Sequence, residues 1–286
     1  MAATTILNDL LPLPNLPKVQ IPRLGFGVYR SPPSQCEKSC LAALIAGYRH
    51  IDTAQFYANE TEVGNALRSS GMRKEIFVTT KIISPAGSPE ATYEKLLESV
   101  KKIAGEGQDA YVDLFLIHSA KSGKEGRKEL WQALEKLFDE GKTRSIGVSN
   151  FGVGHIEEMK EYAKVWPPHV NQIEVPSSMV PTEGDRCLLQ KARNRSGSVF
   201  AARTELQGHR ANSRRDREEV RQVDGADIDK IRLAEGMVPL PKSDNPDRIQ
   251  ANANVYDFFI TDEDMTALNA LDQGDEGAIV QAVSNE

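Results

Sequence analysis

A carboxylate, a phenol, an ammonium and an imidazole recur at intervals in the first half of the chain: Asp52, Tyr57, Lys81 and His118. Asp52 closes the run His50-Ile51-Asp52, Lys81 closes IFVTTK, and His118 follows VDLFLI. Tyr57 comes five residues after Asp52, in a loop that ends where an amphipathic pattern begins at Glu60. A lysine paired with Asp52 stays charged, and its charge lowers the pKa of an adjacent phenol from about 10 toward working pH. A tyrosine so placed can give a proton to a carbonyl oxygen, which a histidine can hydrogen-bond and orient. Taken singly, a strand-end lysine or histidine is usually a surface residue or a satisfied one. Four titratable groups at three consecutive strand ends weigh against coincidence.

The elements that must position these groups alternate without a break. Val19 to Tyr29 reads as a first strand ending in the turn Gly25-Phe26-Gly27, where two glycines permit close backbone approach. Ser34 with Glu37 reads as a capping box opening a helix that Gly47 stops. Strands follow at His50-Ile51-Asp52, Ile76 to Lys81, Val112 to Ile117, Ser145 to Val148 and Val170 to Val175. Between them lie helical patterns: one from Glu60 to Gly71, one started by Ser88-Pro89, one from Glu129 to Glu140, and one carrying Ile156, Met159, Tyr162 and Ala163. Gly236 to Pro241 supplies a late strand, and Thr261 with Asp264 opens a short helix through Leu271. Strand–helix alternation at this cadence implies parallel strands joined by crossover helices. A doubly wound sheet would share the cadence. Polar residues at nearly every C-terminal strand end favour a (β/α)8 TIM barrel of the α/β class, in which those ends converge on one mouth. The expectation is one barrel domain over residues 1–286.

Composition narrows the partners. A formal net charge of −6 offers no electrostatic invitation to nucleic acid or an anionic membrane. Three scattered cysteines form no disulfide framework and fit a reducing, cytoplasmic setting. Cys36 and Cys40 lack a second ligand pair, so buried packing is expected and no metal. Pro12, Pro14 and Pro17 break up the N-terminal leucines, and no basic residue precedes Lys18, which does not suit a secretory signal. No apolar run approaches the roughly 20 residues needed to span a bilayer.

The stretches GYRHIDTAQFYANETEVGNAL, IFVTTK, LFLIH, GVSNF, NQIEV and VPLPKSDNPDRIQAN resemble the aldo-keto reductase superfamily over residues 19–175 and 236–272. The resemblance implies reduction of a small aldehyde or ketone by hydride from a nicotinamide, usually NADPH, by a monomer or weak dimer. It implies the catalytic set Asp52, Tyr57, Lys81 and His118, with Asp52 and Thr53 also beside the cofactor. It implies that Ser149, Asn150 and Gln172 hold the nicotinamide carboxamide, and that Lys242, Ser243, Arg248 and Asn252 hold the adenosine 2′-phosphate and adenine. Cationic Lys242 and Arg248 suit a phosphate on physical grounds too. The family often carries Glu where Ala251 stands, so a looser adenine end is expected.

Residues 177–235 break the pattern. They hold ten arginines and two lysines, against eight and fifteen in the other 227 residues, and show no apolar run long enough for a buried strand. A disordered basic arm is one reading, but its acidic residues and lack of interleaved aromatics do not suit nucleic acid. The genetic code offers another. Codons for SSMVPTEGDRCLLQKARNRSGSVFAAR can be chosen so that the same bases, read one later, give HPWCQQREIVAYCKKHGIVVEAYSPL. REEVRQVDGADIDKIRLAE likewise allows EKKYGKWTGQILIRYGLQK. Both products look like the family's missing seventh strand, cofactor loop and following helix. The expectation is a frame shift entered near Pro176 and left near Gly236, from a misassigned splice junction or a real lesion. A poorly formed seventh strand and weak or absent NADPH binding follow, and with them a second reading: an inactive relative or a nicotinamide-binding module without catalysis.

Overall fold

The computed structural model describes residues 9–13, 15–174, 199–204, 229, 233 and 236–255. The N-terminal leucines that the prolines interrupt form an antiparallel hairpin, β1 (Leu10–Leu13) and β2 (Leu16–Pro22), with Leu10 opposite Pro22. Eight further strands make one sheet in chain order: β3 (Phe26–Gly27), β4 (His50–Asp52), β5 (Phe77–Ile82), β6 (Leu114–Ile117), β7 (Ile146–Ser149), β8 (Val170–Glu174), β9 (Val199–Thr204) and β10 (Val238–Pro241). Every neighbouring pair is parallel. The Gly25 amide donates to the Pro239 carbonyl at 3.0 Å, which brings the first strand's edge to the last. The TIM barrel closes there. A side chain on Gly25 would meet Leu240 Cδ2 at 2.4 Å and His50 Nδ1 at 2.6 Å, so this seam demands glycine.

Helices α1 (Pro33–Ile45), α2 (Glu60–Ser70), α3 (Pro89–Ala104), α4 (Gly123–Asp139) and α5 (Val153–Glu158) occupy the crossovers, and α6 (Pro246–Asn252) follows β10. Ser88 caps α3 as expected, its Oγ accepting from the Ala91 amide at 3.2 Å with Pro89 in the first turn. Gly71 ends α2 at φ +67°, where a side chain would be strained. Cys36 and Cys40 are buried free thiols in the core under α1.

Three expectations are corrected. The barrel's first strand is Phe26–Gly27 itself, and the residues before it belong to the hairpin. Ser34 does not cap α1: Pro32 is the cap residue, Pro33 starts the helix with its pre-set φ, and no side-chain cap bond forms. The seventh barrel strand, expected to be poorly formed, is present as β9 and pairs from Val170↔Val199 on one side to Pro241↔Thr204 on the other. The barrel strands run from two to six residues, so the short run VFAA suffices where both neighbours supply backbone partners. The expected helix from Thr261 to Leu271 lies outside the described residues.

Alternation along the strands sorts the interior. On β5, Phe77, Thr79 and Lys81 face into the barrel, while Val78, Thr80 and Ile82 face the helices. The hairpin's Leu13 and Ile21 plug the lower end against Phe77, Leu114, Leu116, Val170, Val238 and Leu240. Each such buried side chain contributes about 2 kcal/mol. Above this apolar floor His50 contacts Thr79, its Nε2 2.9 Å from Thr79 Oγ1. Above that, Asp52 meets Lys81. Polarity therefore rises toward the C-terminal mouth.

Candidate active site

Lys81 is 1 % exposed, and its ammonium makes three bonds. It donates to Asp52 Oδ1 at 2.6 Å, to the Thr53 carbonyl at 2.9 Å and to Tyr57 Oη at 3.2 Å. An ammonium so deep in the barrel is sustained by its carboxylate and two further acceptors. The strand β4 ends on Asp52, and Thr53 continues the backbone pairing by donating to the Thr79 carbonyl at 2.9 Å. The 3-10 turn Gln55–Tyr57 then swings the phenol back over the strand ends. That turn closes through Ala58 in the left-handed region at φ +54°. Asn59 fixes it, accepting from Thr53 Oγ1 at 2.8 Å and donating to the Val28 and Ser31 carbonyls at 2.9 and 3.1 Å. Thr53's hydroxyl proton is thereby committed to Asn59.

His118 follows β6, and its amide donates to the Ile82 carbonyl at 2.7 Å. Its ring lies edge-on to Tyr57 with centroids 5.5 Å apart, and the Tyr29 ring packs against Tyr57 at 4.9 Å. The phenol, ammonium and imidazole line one pocket with Ser149, Asn150, Gln172 and Ile173. Four groups separated in sequence thus meet at one mouth.

Asn150 stands at φ +57°, a conformation that Asn tolerates better than most side chains. Its amide donates to the Gln172 carbonyl at 2.9 Å, and its Nδ2 reaches the His118 carbonyl at 3.3 Å and Ser149 Oγ at 3.2 Å. Among the described residues, Asn150 Oδ1, Gln172 Oε1 and Asp52 Oδ2 are buried acceptors with no hydrogen-bond partner. Buried acceptors are normally satisfied. Two carboxamide oxygens lining one pocket fit the N–H groups of a ligand amide.

The second predicted cluster follows β10. Lys242 donates to Asp244 Oδ2 at 2.6 Å, Ser243 Oγ accepts from the Asn245 amide at 3.1 Å, and Asn252 ends α6 buried. Arg248 is exposed, its backbone amide capped by Asn245 Oδ1 at 3.1 Å. The sequence reading missed three residues that organise these sites: Asn59, Glu60 and Asp244. Adjacent polar residues opening an amphipathic helix, and a carboxylate two residues after a phosphate-suited lysine, were the available signals. Among the described residues, no group of three or more His, Cys, Asp or Glu could hold a metal ion, and no helix is long and apolar enough to cross a membrane.

A closed eight-stranded barrel with its ionisable residues gathered at the C-terminal mouth defines a (β/α)8 protein with an active-site-like rim. The Aldo/keto reductase family model matches residues 23–226, a span that takes in most of residues 177–235 and the motif-bearing stretches up to NQIEV, but ends before VPLPKSDNPDRIQAN. The chain belongs to that family, whose members here are oxidoreductases. It is 36 % identical to the glyoxal reductase of Bacillus subtilis over 94 % of this chain and 95 % of the relative. An aldo-keto reductase from a Medee basin deep-sea metagenome superposes with a TM-score of 0.80 at 33 % identity, covering 97 % of this chain and 99 % of that one. The Bombyx mori aldo-keto reductase, solved in complex with NADP, superposes at 0.73 with 28 % identity and 92 % coverage of each chain.

Proposed function

We propose that this protein reduces a small aldehyde or ketone to an alcohol with NADPH, Tyr57 giving the proton. The observation that carries the reading is the Lys81 ammonium, held by Asp52 and the Thr53 carbonyl while donating to Tyr57 Oη at 3.2 Å. Because Lys81 is the donor in that bond, the bond does not consume the phenolic proton, which Tyr57 would give to a carbonyl oxygen. The same ammonium stabilises the phenolate left behind. His118, lining the same pocket, would donate to the carbonyl oxygen and fix its direction.

The unpartnered Asn150 Oδ1 and Gln172 Oε1 match the amide donors of a nicotinamide, and Asp52 Oδ2 matches a sugar hydroxyl. Ser149, whose Oγ accepts a hydrogen bond from Asn150 Nδ2, keeps its own hydroxyl proton for the carboxamide oxygen. The dinucleotide, when bound, supplies the hydride. Lys242 and Arg248 are the cations suited to a 2′-phosphate, with Ser243 and Asn252 beside them. The NADP-bound silkworm relative supports that choice, and the glyoxal reductase relative makes a small dicarbonyl the first substrate to try. On cysteine usage the protein works in the cytoplasm, as a single barrel domain and as a monomer or weak dimer.

The test is NADPH oxidation with glyoxal or a generic aldehyde. Tyr57→Phe should lower kcat at least about 100-fold with little change in NADPH affinity. Equal turnover in wild type and Tyr57→Phe would remove Tyr57 from the chemistry.

A further inference from the structure

Lys242 is the cation best placed for a 2′-phosphate, and it is already engaged. Its ammonium lies 2.6 Å from Asp244 Oδ2. The other carboxylate oxygen, Oδ1, accepts from Ser31 Oγ at 2.5 Å and from Ser39 Oγ at 2.8 Å. Both serines are buried, at 2 % and 1 % exposure, one just before α1 and one within it. Asp244 is therefore pinned by two rigid hydroxyls from a separate element and cannot swing aside when a ligand claims Lys242. Burial pushes its carboxyl pKa up, but bonds from Lys242, Ser31 and Ser39 more than offset this and hold it below the usual carboxylate value.

We infer that Asp244 is a specificity-determining residue that lowers this chain's preference for NADPH and admits NADH as a second hydride source. The inference rests on the cofactor reading above. A phosphate monoester carries close to two negative charges at neutral pH. To bind here it must share Lys242 with a fixed carboxylate and tolerate that carboxylate's charge nearby. Lys242 then meets the 2′ position together with a fixed anion rather than alone. A 2′-hydroxyl meets the opposite situation, since a carboxylate is the group that ordinarily accepts from the ribose 2′-OH of NAD. The one side chain thus opposes the phosphate and rewards the hydroxyl.

Asp244→Asn is the informative change. Its Oδ1 still accepts from Ser31 and Ser39, while an NH2 replaces the oxygen facing Lys242 and frees the ammonium. Dissociation constants are measured for two pairs of ligands, adenosine 2′,5′-bisphosphate against 5′-AMP by calorimetry, and NADPH against NADH by fluorescence. The first pair probes the adenosine end without requiring residues 177–235. Asp244→Asn should tighten the 2′-phosphorylated member of each pair on the order of tenfold and leave the other unchanged or weaker. The gain should vanish in Lys242→Met/Asp244→Asn. If Asp244→Asn does not fold, Asp244→Thr carries the same test. Equal shifts in both members, or a gain that survives without Lys242, would overturn the role of Asp244. If none of the four ligands binds any variant, the cofactor reading fails and takes this inference with it.

Discussion

Glu60 accepts a 2.6 Å hydrogen bond from Thr80 Oγ1, on the helix-facing side of the strand whose next residue, Lys81, faces the barrel interior. The same carboxylate accepts from Ser99 Oγ of α3 at 3.1 Å, and Ser99 Oγ accepts from Gln55 Nε2 at 2.9 Å. Gln55 opens the turn that ends on Tyr57. Glu60 thus ties the strand that carries the ammonium to the turn that carries the phenol. Burial raises its carboxyl pKa, and the bonds from Thr80 and Ser99 offset only part of that rise.

Removing this anchor should loosen the Lys81–Tyr57 geometry. Glu60→Ala strands the Thr80 and Ser99 hydroxyls and should cost about 1–3 kcal/mol in urea unfolding. It should also lower kcat more than it raises KM, because the reacting groups lose alignment while the pocket remains. Glu60→Gln keeps an acceptor for Thr80 and should recover most of both. A kcat equal to wild type in Glu60→Ala would confine the residue to stability.

Helix packing depends on Gly64. A Cβ there would lie 2.2 Å from the Lys102 carbonyl oxygen and 2.9 Å from that of Ile103, so α2 and α3 approach through bare backbone. Gly64→Ala should destabilise by about 1–3 kcal/mol and lower the melting temperature by several degrees. Gly154 in α5 has nothing within 4 Å of its would-be Cβ, and Gly154→Ala should raise stability by up to about 1 kcal/mol. Melting curves that rank the two variants the other way would contradict the packing described.

The candidate site at the rim was legible because strand periodicity is two and barrel strands point their C-terminal ends to one mouth. Asp52, Lys81 and His118 could be placed together from those two rules alone. The hairpin was not legible, since Pro12, Pro14 and Pro17 obscure its alternation; antiparallel edge strands accept proline where no ladder donor is needed. Strand β9 escaped notice because its partners, β8 and β10, supply what its own short apolar run does not. Asp244 escaped notice because its grip on Lys242 depends on Ser31 and Ser39, more than 200 residues earlier in the chain.

Acid should unfold the protein through two buried imidazoles. Burial and then the Lys81 charge push His50 down to about 3, and burial pushes His169 down to about 4. The unfolded chain protonates both near 6.5, so below that pH it binds protons that the folded chain refuses. Stability therefore falls as pH drops from about 6.5 toward 4, by about 1.4 kcal/mol per unit for each histidine. Glu60 and Asp113, whose carboxyl pKa values burial raises, act in the opposite sense. The difference between wild type and His50→Gln isolates the effect: the variant's stability should decline less steeply over that range. Parallel pH profiles would show that His50 titrates normally in the fold.

Residues 177–235 bear on cofactor binding through the frame in which they are read. In the restored sequence the run IVVEAYSPL falls at about positions 194–202, overlapping Val199–Thr204 between β8 and β10. Both frames can thus supply a strand near the same gap, but the restored one places three β-branched residues just before it, followed by a tyrosine and a Ser-Pro-Leu run that the resemblance implies would stack on the nicotinamide and cover the pyrophosphate. Backbone pairing alone closes the sheet; tight dinucleotide binding requires the side chains and loop beyond it. The chain as written should therefore fold to a barrel yet bind NADPH at least about tenfold more weakly than the frame-restored chain, and reduce aldehydes correspondingly poorly. Fluorescence titration of both proteins checks this, with Tyr57→Phe in the restored background as the catalytic control. Equal NADPH affinity in the two chains would sink the proposed defect. Transcripts that encode residues 177–235 in frame would exclude a misassigned splice junction, leaving a lesion carried by the gene itself.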